Sequence, residues 1–247
     1  MSGLNKKEMN LEEKIKNRLT KYLGFDYREI INENIDYAYI FGGAIRDSIA
    51  NKKINDIDIL CLPNSKQKII KIIKKNGYIQ TDLVSKDTIE MYSKLRTIFE
   101  PFNYIKIIDN ELRIIQLITP TSNLSNMESD VIRNFHNILG QVDMSNCAVH
   151  FSNAFGLRES YLGAINHCKH NVFEVLDTKM KTDRFELRYQ KFINRGWEEL
   201  NEDNMKNIIR SDKLHNIIDD ANKTKYFLPT HGIQKKVKAF DDLDLLF

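Results

Sequence analysis

Asp56 and Asp58 stand two residues apart in an apolar run that includes Ile54, Ile57, Ile59 and Leu60. Successive side chains on a strand point to opposite faces, so the two carboxylates share one. Side by side they repel, and burying them is costly unless a cation lies between them. Oxygen donors of this kind suit Mg²⁺, which commonly takes one or two carboxylates plus substrate phosphates; Mn²⁺ is the alternative metal. Upstream, Gly42 and Gly43 follow the apolar segment Tyr37–Phe41 and precede a helix-compatible stretch carrying Arg46 and Asp47. Glycine lets backbone approach a ligand closely, and a helix N-terminus favours phosphate. A phosphate cradle close to a carboxylate pair suggests metal-assisted attack on a nucleoside triphosphate.

These residues need a scaffold, and the pattern supplies one. Leu11, Ile15, Leu19 and Leu23 give residues 10–24 an apolar helical face, with Asn10 as N-cap and Gly24 as terminator. A short helix is expected over Tyr27–Asn32, a strand over Tyr37–Phe41, a helix over Ala44–Ala50 and a strand over Asp56–Leu62. A helix follows over Ser65–Asn76, capped by Ser65 and stopped by Gly77. Tyr104–Ile108 and Glu111–Ile118 flank Asp109-Asn110, a hairpin signal. Met127–Ile138 reads as a helix and Val142–Phe151 as a strand. Helical segments are expected near 160–168, 181–194, 202–209 and 211–222. The fold class is therefore α/β (α+β): a mixed-sheet head followed by a short helical neck. The expected division is 1–35, an N-terminal helical segment; 36–155, the head; 156–228, the neck; and 229–247, a tail.

The ordered set Gly42-Gly43, Arg46-Asp47, then Asp56-Ile57-Asp58 resembles the head of class II tRNA nucleotidyltransferases and bacterial poly(A) polymerases, within the polymerase-β-like nucleotidyltransferase superfamily. The resemblance covers about residues 36–197. It implies metal binding by Asp56 and Asp58, triphosphate binding by Gly42, Gly43 and Arg46, and a turn-anchoring role for Asp47. It implies an NTP substrate, ATP or CTP, and an RNA 3′ end as acceptor. Where that family has a third acidic residue on a neighbouring strand, this chain has Gln116, which can hydrogen-bond but carries no charge. Gln141-Val142-Asp143-Met144-Ser145 matches a further motif with both arginines gone, leaving Asp143 as a third acidic group or ribose contact, or as a residue capping a strand start. The form with Asp, a small polar residue and Cys also resembles nucleotidyltransferase-like domains of phages and large DNA viruses.

On the neck, Arg188, Lys191, Phe192 and the Gly196-Trp197 pair match the later part of the family's base-reading region. The earlier part is reduced to Asp183 with Arg184 or Arg188. Arg184, Arg188, Lys191 and Arg195 recur at helical spacing and form a basic stripe suited to triphosphate or nucleic-acid phosphate. A solvated helix paired with Glu186 and Glu198 is the plainer reading. The tail Phe240–Phe247, FDDLDLLF, places Leu243, Leu245, Leu246 and Phe247 where they either dock on the protein's own core or bind a partner. It resembles C-terminal sliding-clamp-binding peptides, which implies a clamp or polymerase partner.

Composition sets the outer bounds. Charged residues are 29% of the chain and the formal net charge is +3, which permits nucleic-acid binding without demanding it. Three cysteines at irregular spacing give no disulfide framework. Cys61 and Cys147 are expected as buried thiols in strands. His167, Cys168 and His170 match no common zinc module. No run approaches membrane-spanning length, and the chain reads as cytoplasmic. The function implied is transfer of NMP from an NTP to an acceptor hydroxyl. The alternative is a nucleotidyltransferase-like scaffold that binds nucleic acid or a protein without turnover.

Overall fold

Helix α1 (Leu11–Leu23) is amphipathic as its spacing predicts, with Ile15, Leu19, Tyr22 and Leu23 buried. The Asn10 side chain accepts from the Glu12 amide at 2.8 Å, and Gly24, at φ 71°, ends the helix in the left-handed conformation. The computed structural model describes residues 10–32, 35, 38–82, 99–120, 142–176 and 183–205. The expected helices at Met127–Ile138 and 211–222, together with Gln141 and the tail, lie outside the described residues.

After a 3₁₀ turn at Tyr27–Glu29 come β1 (Ala38–Phe41), α2 (Gly43–Ile49), β2 (Ile57–Cys61), α3 (Pro63–Lys75) and β3 (Ile79–Thr81). The long hairpin β4 (Phe99–Ile108) and β5 (Glu111–Pro120) follows. Its two-residue turn, Asp109 and Asn110, has φ of 51° and 60°, as a type I′ connection requires. A second 3₁₀ turn (Ser145–Cys147) leads into β6 (Val149–Ser152) and β7 (Gly156–Glu159). Then come α4 (Ala164–His170), β8 (Val172–Phe173), α5 (Asp183–Asn194) and β9 (Glu198–Glu199).

Seven strands form one mixed sheet in the order β3-β4-β5-β2-β1-β6-β7. Strand β2 pairs in parallel with β5, and every other neighbouring pair in this sheet is antiparallel. Ile40, Ile57, Ile59, Ile115 and Leu117 join residues of α1, α2 and α3 in the main core. Each fully buried side chain of this size contributes about 1.5–3 kcal/mol. A second cluster, built on Met144, Cys147, Phe173, Phe192 and Trp197, packs α5 against the 3₁₀ turn at 145–147.

Four expectations change. Helix α3 begins at Pro63 rather than being capped by Ser65: proline is favoured at a first helical position, and the Leu62 carbonyl accepts from the Ser65 and Lys66 amides at 3.0 and 3.1 Å. The strand expected at Val142–Phe151 is confined to Val149–Ser152, so Cys147 lies in a 3₁₀ turn and not in a strand. There Ser145 Oγ accepts from the Glu174 amide at 2.8 Å and lies 2.7 Å from His167 Nδ1, local bonding that competes with a ladder. The helix expected near 160–168 starts at Ala164, because the Glu159 carboxylate takes the Gly163 and Ile165 amides at 3.1 and 2.8 Å. Strand β2 begins at Ile57, with Asp56 just ahead of it.

Candidate active site

Asp58 occupies the middle of the sheet, opposite Phe41 on β1 and Gln116 on β5. Asp56 is exposed at the mouth of the same strand, while Asp58 is half-buried. Burial and the Asp56 carboxylate together push Asp58 well above the usual carboxylate range, and the guanidiniums of Arg188 and Arg46 pull the other way. Gln116 is buried and donates from its side-chain amide to Asn103 Oδ1 at 2.9 Å. Thr81 stands opposite Asn103 on β3. A row of neutral polar residues thus runs from Asp58 to the sheet edge.

The glycine turn lies at the end of β1. Gly42 has φ 64° and nothing within 4 Å of an added Cβ, so backbone conformation, not crowding, selects glycine here. Its N–H donates to the Val149 carbonyl at 2.9 Å. A Cβ on Gly43 would rest at ordinary contact distance, 3.6 Å from Arg46 Nη2 and 3.7 Å from Asp56 Oδ1. The space left by the missing side chain is therefore flanked by a cation and a metal-type donor. Two carboxylates of one strand mouth, electrostatically coupled and partly open to solvent, form a donor set that fits Mg²⁺ or Mn²⁺.

Arg46, expected to reach the β- and γ-phosphates, is turned inward and only 5% exposed. Its Nε and Nη2 donate to Asp47 at 2.8 and 3.1 Å, and its Nη1 to Cys147 Sγ at 3.2 Å. The guanidinium also lies 4.6 Å from the centre of the Phe192 ring and 5.5 Å from that of Trp197. Burial opposes its charge, but Cys147 and Asp47 more than offset this and hold Arg46 above its ordinary range.

Helix α5 supplies the other half of the network. Arg188 pairs with Asp143 at 3.3 Å and donates to Cys147 Sγ at 3.5 Å. Arg195 donates to Asp47 at 2.9 Å and to the Lys53 carbonyl at 2.9 Å. Both arginines thus face head aspartates rather than Glu186 and Glu198. Lys191 is exposed, and the side chain of Arg184 lies outside the described residues. Within α5, Arg188 is half-buried against Asp143 while Lys191 is exposed. Asp143 Oδ1 and both side-chain amide atoms of Asn146 are buried without a hydrogen-bond partner. Lys52 closes the junction by donating to the Arg195 and Gly196 carbonyls at 2.8 and 3.1 Å.

Sequence reasoning assigned no site role to Cys147 or Asn103. No local signal could reveal Cys147, whose contact with Arg46 spans 101 residues of chain. Asn103 had one: it precedes the Tyr104–Ile108 strand by a single position. Among the described residues no group of three or more His, Cys, Asp or Glu side chains could hold a metal.

No protein-family model matches the sequence, and no curated protein matches it. Solved structures do resemble the fold. A Thermotoga maritima CCA-adding enzyme complexed with tRNA is similar at 19% identity and TM-score 0.46, over 82% of this chain and 46% of that one. A CCA-adding enzyme in complex with CTP is similar at 19% identity and TM-score 0.43, over 85% and 49%. A CCA-adding enzyme in complex with ATP is similar at 18% identity and TM-score 0.41, over 74% and 39%. The match spans less than half the length of each of these structures.

Proposed function

We propose that the protein is a metal-dependent nucleotidyltransferase moving NMP from an NTP, ATP or CTP, to an acceptor hydroxyl, with an RNA 3′ end as the acceptor. The observation carrying this reading is Asp58 in mid-sheet, with the Asp56 carboxylate acting on it from beside the side-chain-free surface of Gly43. Asp56 and Asp58 would hold Mg²⁺ or Mn²⁺, which when bound neutralises phosphate charge and the departing pyrophosphate. The Gly42-Gly43 turn leaves room for the triphosphate to approach the backbone. Arg46 and Asp47 act as positioning residues that fix the turn, and Arg46 and Arg188 bring positive charge toward Asp58. The orphaned Oδ1 of Asp143 is offered to a ribose or base group, and exposed Lys191, with Arg184, to phosphate. Because the base-reading segment is reduced, NTP choice is relaxed rather than ordered.

The head and neck of the domain division act as one unit in this reading. The apolar tail residues Leu243, Leu245, Leu246 and Phe247 bind a protein partner, a sliding clamp or polymerase. Among the described residues no helix is long and apolar enough to cross a membrane.

The test is incubation with each labelled NTP, Mg²⁺ and a total RNA pool, beside Asp58→Asn. Labelled RNA with the wild type and none with the variant is expected. An unlabelled pool with all four NTPs refutes the reaction. Gln116 in register beside Asp58, a neutral group where a further acid would strengthen metal binding, favours a second reading: nucleotide or nucleic-acid binding without turnover. Retention of labelled NTP without any labelled acceptor would establish it.

A further inference from the structure

We infer that the site takes one divalent cation between Asp56 and Asp58, and that Gln116 is the residue that excludes a second. The inference rests on the metal-dependent reading above and goes beyond it in fixing the stoichiometry and naming its determinant.

Neighbouring strands lie about 4.8 Å apart, and residues in register on parallel strands point to the same face. Gln116 on β5 is in register with Asp58 on β2 and is the β5 group closest to that carboxylate along the ladder. Its amide donates to Asn103 Oδ1 at 2.9 Å, which fixes its orientation through the neighbouring strand. A second cation on this flank of Asp58 would meet Gln116, Asn103 and Thr81, all uncharged. Amide and hydroxyl oxygens can contribute ligands, but they cannot offset the charge of a second divalent ion. The positive charges of Arg46 and Arg188 both act on Asp58. Asp143 is already paired with Arg188 at 3.3 Å, and Asp47 with Arg46 and Arg195 at 2.8 and 2.9 Å. The pair carries two negative charges, and one divalent cation neutralises them. Further cations arrive only with the triphosphate's own charge.

The consequence is quantitative. A carboxylate placed at position 116 would lie about 5 Å from a cation held by Asp58. Even at the dielectric constant of water, that raises cation affinity on the order of tenfold.

Mn²⁺ is titrated into the protein without nucleotide, and free Mn²⁺ is followed by its electron paramagnetic resonance signal. The variants are Asp58→Asn and Gln116→Glu, each checked for fold by circular dichroism. The wild type is expected to bind one Mn²⁺ per chain and Asp58→Asn none. Gln116→Glu is expected to bind the first about tenfold more tightly and to acquire a second. Two Mn²⁺ per wild-type chain, or unchanged affinity in folded Gln116→Glu, overturns the inference, as does absence of binding to both. If Gln116→Glu does not fold, the wild-type stoichiometry decides alone. The expected Mn²⁺ pattern without nucleotidyl transfer would remove the proposed reaction and leave this inference standing. Normal transfer with two Mn²⁺ bound would remove the inference only.

Discussion

Replacing Asp47 should unfold the protein more readily than any single change at the exposed end of the site. Asp47 is 1% exposed and accepts three charge-assisted hydrogen bonds, two from Arg46 at 2.8 and 3.1 Å and one from Arg195 at 2.9 Å. Asp47→Asn keeps the shape but turns an NH₂ group toward guanidinium donors. Arg46 would then stay buried with Cys147 Sγ and two aromatic faces as its remaining partners. Removing one member of a buried ion pair costs about 3–5 kcal/mol, because the other charge is stranded. Arg195→Leu should cost less, about 1–2 kcal/mol, since its side chain is 22% exposed and its bonds to Asp47 and the Lys53 carbonyl lie toward the protein surface. The double variant should fall short of the sum by about 1 kcal/mol, the coupling between partners. Urea unfolding measures all three. Trp197, the only tryptophan, lies 5.5 Å from the Arg46 guanidinium and reports the same region by fluorescence. An Asp47→Asn midpoint within about 1 kcal/mol of wild type, at unchanged slope, would refute the claim that Asp47 neutralises the buried Arg46.

Asp58→Asn should melt higher than wild type near pH 8. The folded state raises this carboxyl above its ordinary 3.8, so its ionised form costs stability above the raised value, and the variant's advantage should vanish toward pH 3. Mg²⁺ should raise the wild-type melting temperature and leave the variant's unchanged. His167 is pushed down to about 4, chiefly by burial, so folding favours its neutral form. Its contribution is full above pH 6.5 and is lost as pH falls toward 4, a change of about 3 kcal/mol that His167→Asn should flatten in urea titrations. Phe192→Ala should cost about 3–5 kcal/mol by calorimetry, since the ring is 4% exposed and covers both Arg46 and Trp197. Cys61, pushed up to about 12 by burial, should resist iodoacetamide at pH 8 until the protein is denatured, as read by mass spectrometry.

The parts of this fold legible in the sequence are those with a local cause. The i, i+4 apolar face of α1 and the two-residue turn at Asp109-Asn110 each arise within a few residues. Short-range competition accounts for the misplaced boundaries at Pro63, Ser145 and Glu159, where a ring constraint or a side-chain hydrogen bond outweighs the apolar pattern. The inward turn of Arg46 was not legible. An arginine beside a glycine turn reads the same whether it faces a ligand or Cys147, and only the approach of α5 decides. Gln116 was visible as a departure from an acidic motif. Its hydrogen bond to Asn103 emerges only with the register of the hairpin.

The joining of β2 to β5 in parallel has a consequence for how the molecule comes into being. An antiparallel neighbour can follow its partner after a two-residue turn, but this one must wait while α3, β3 and β4 are laid down. The ladder beside Asp58 therefore closes only after residue 118 has been made, and Asp47 meets its second arginine only at residue 195. Contacts so distant along the chain are entropically late and slow to form. During synthesis the carboxylates and Arg46 exist before the rings of Phe192 and Trp197 that cover the guanidinium. A nascent chain stopped short of residue 192 would present Arg46 without either ring, so this part of the network is assembled only once α5 and the turn after it have been made.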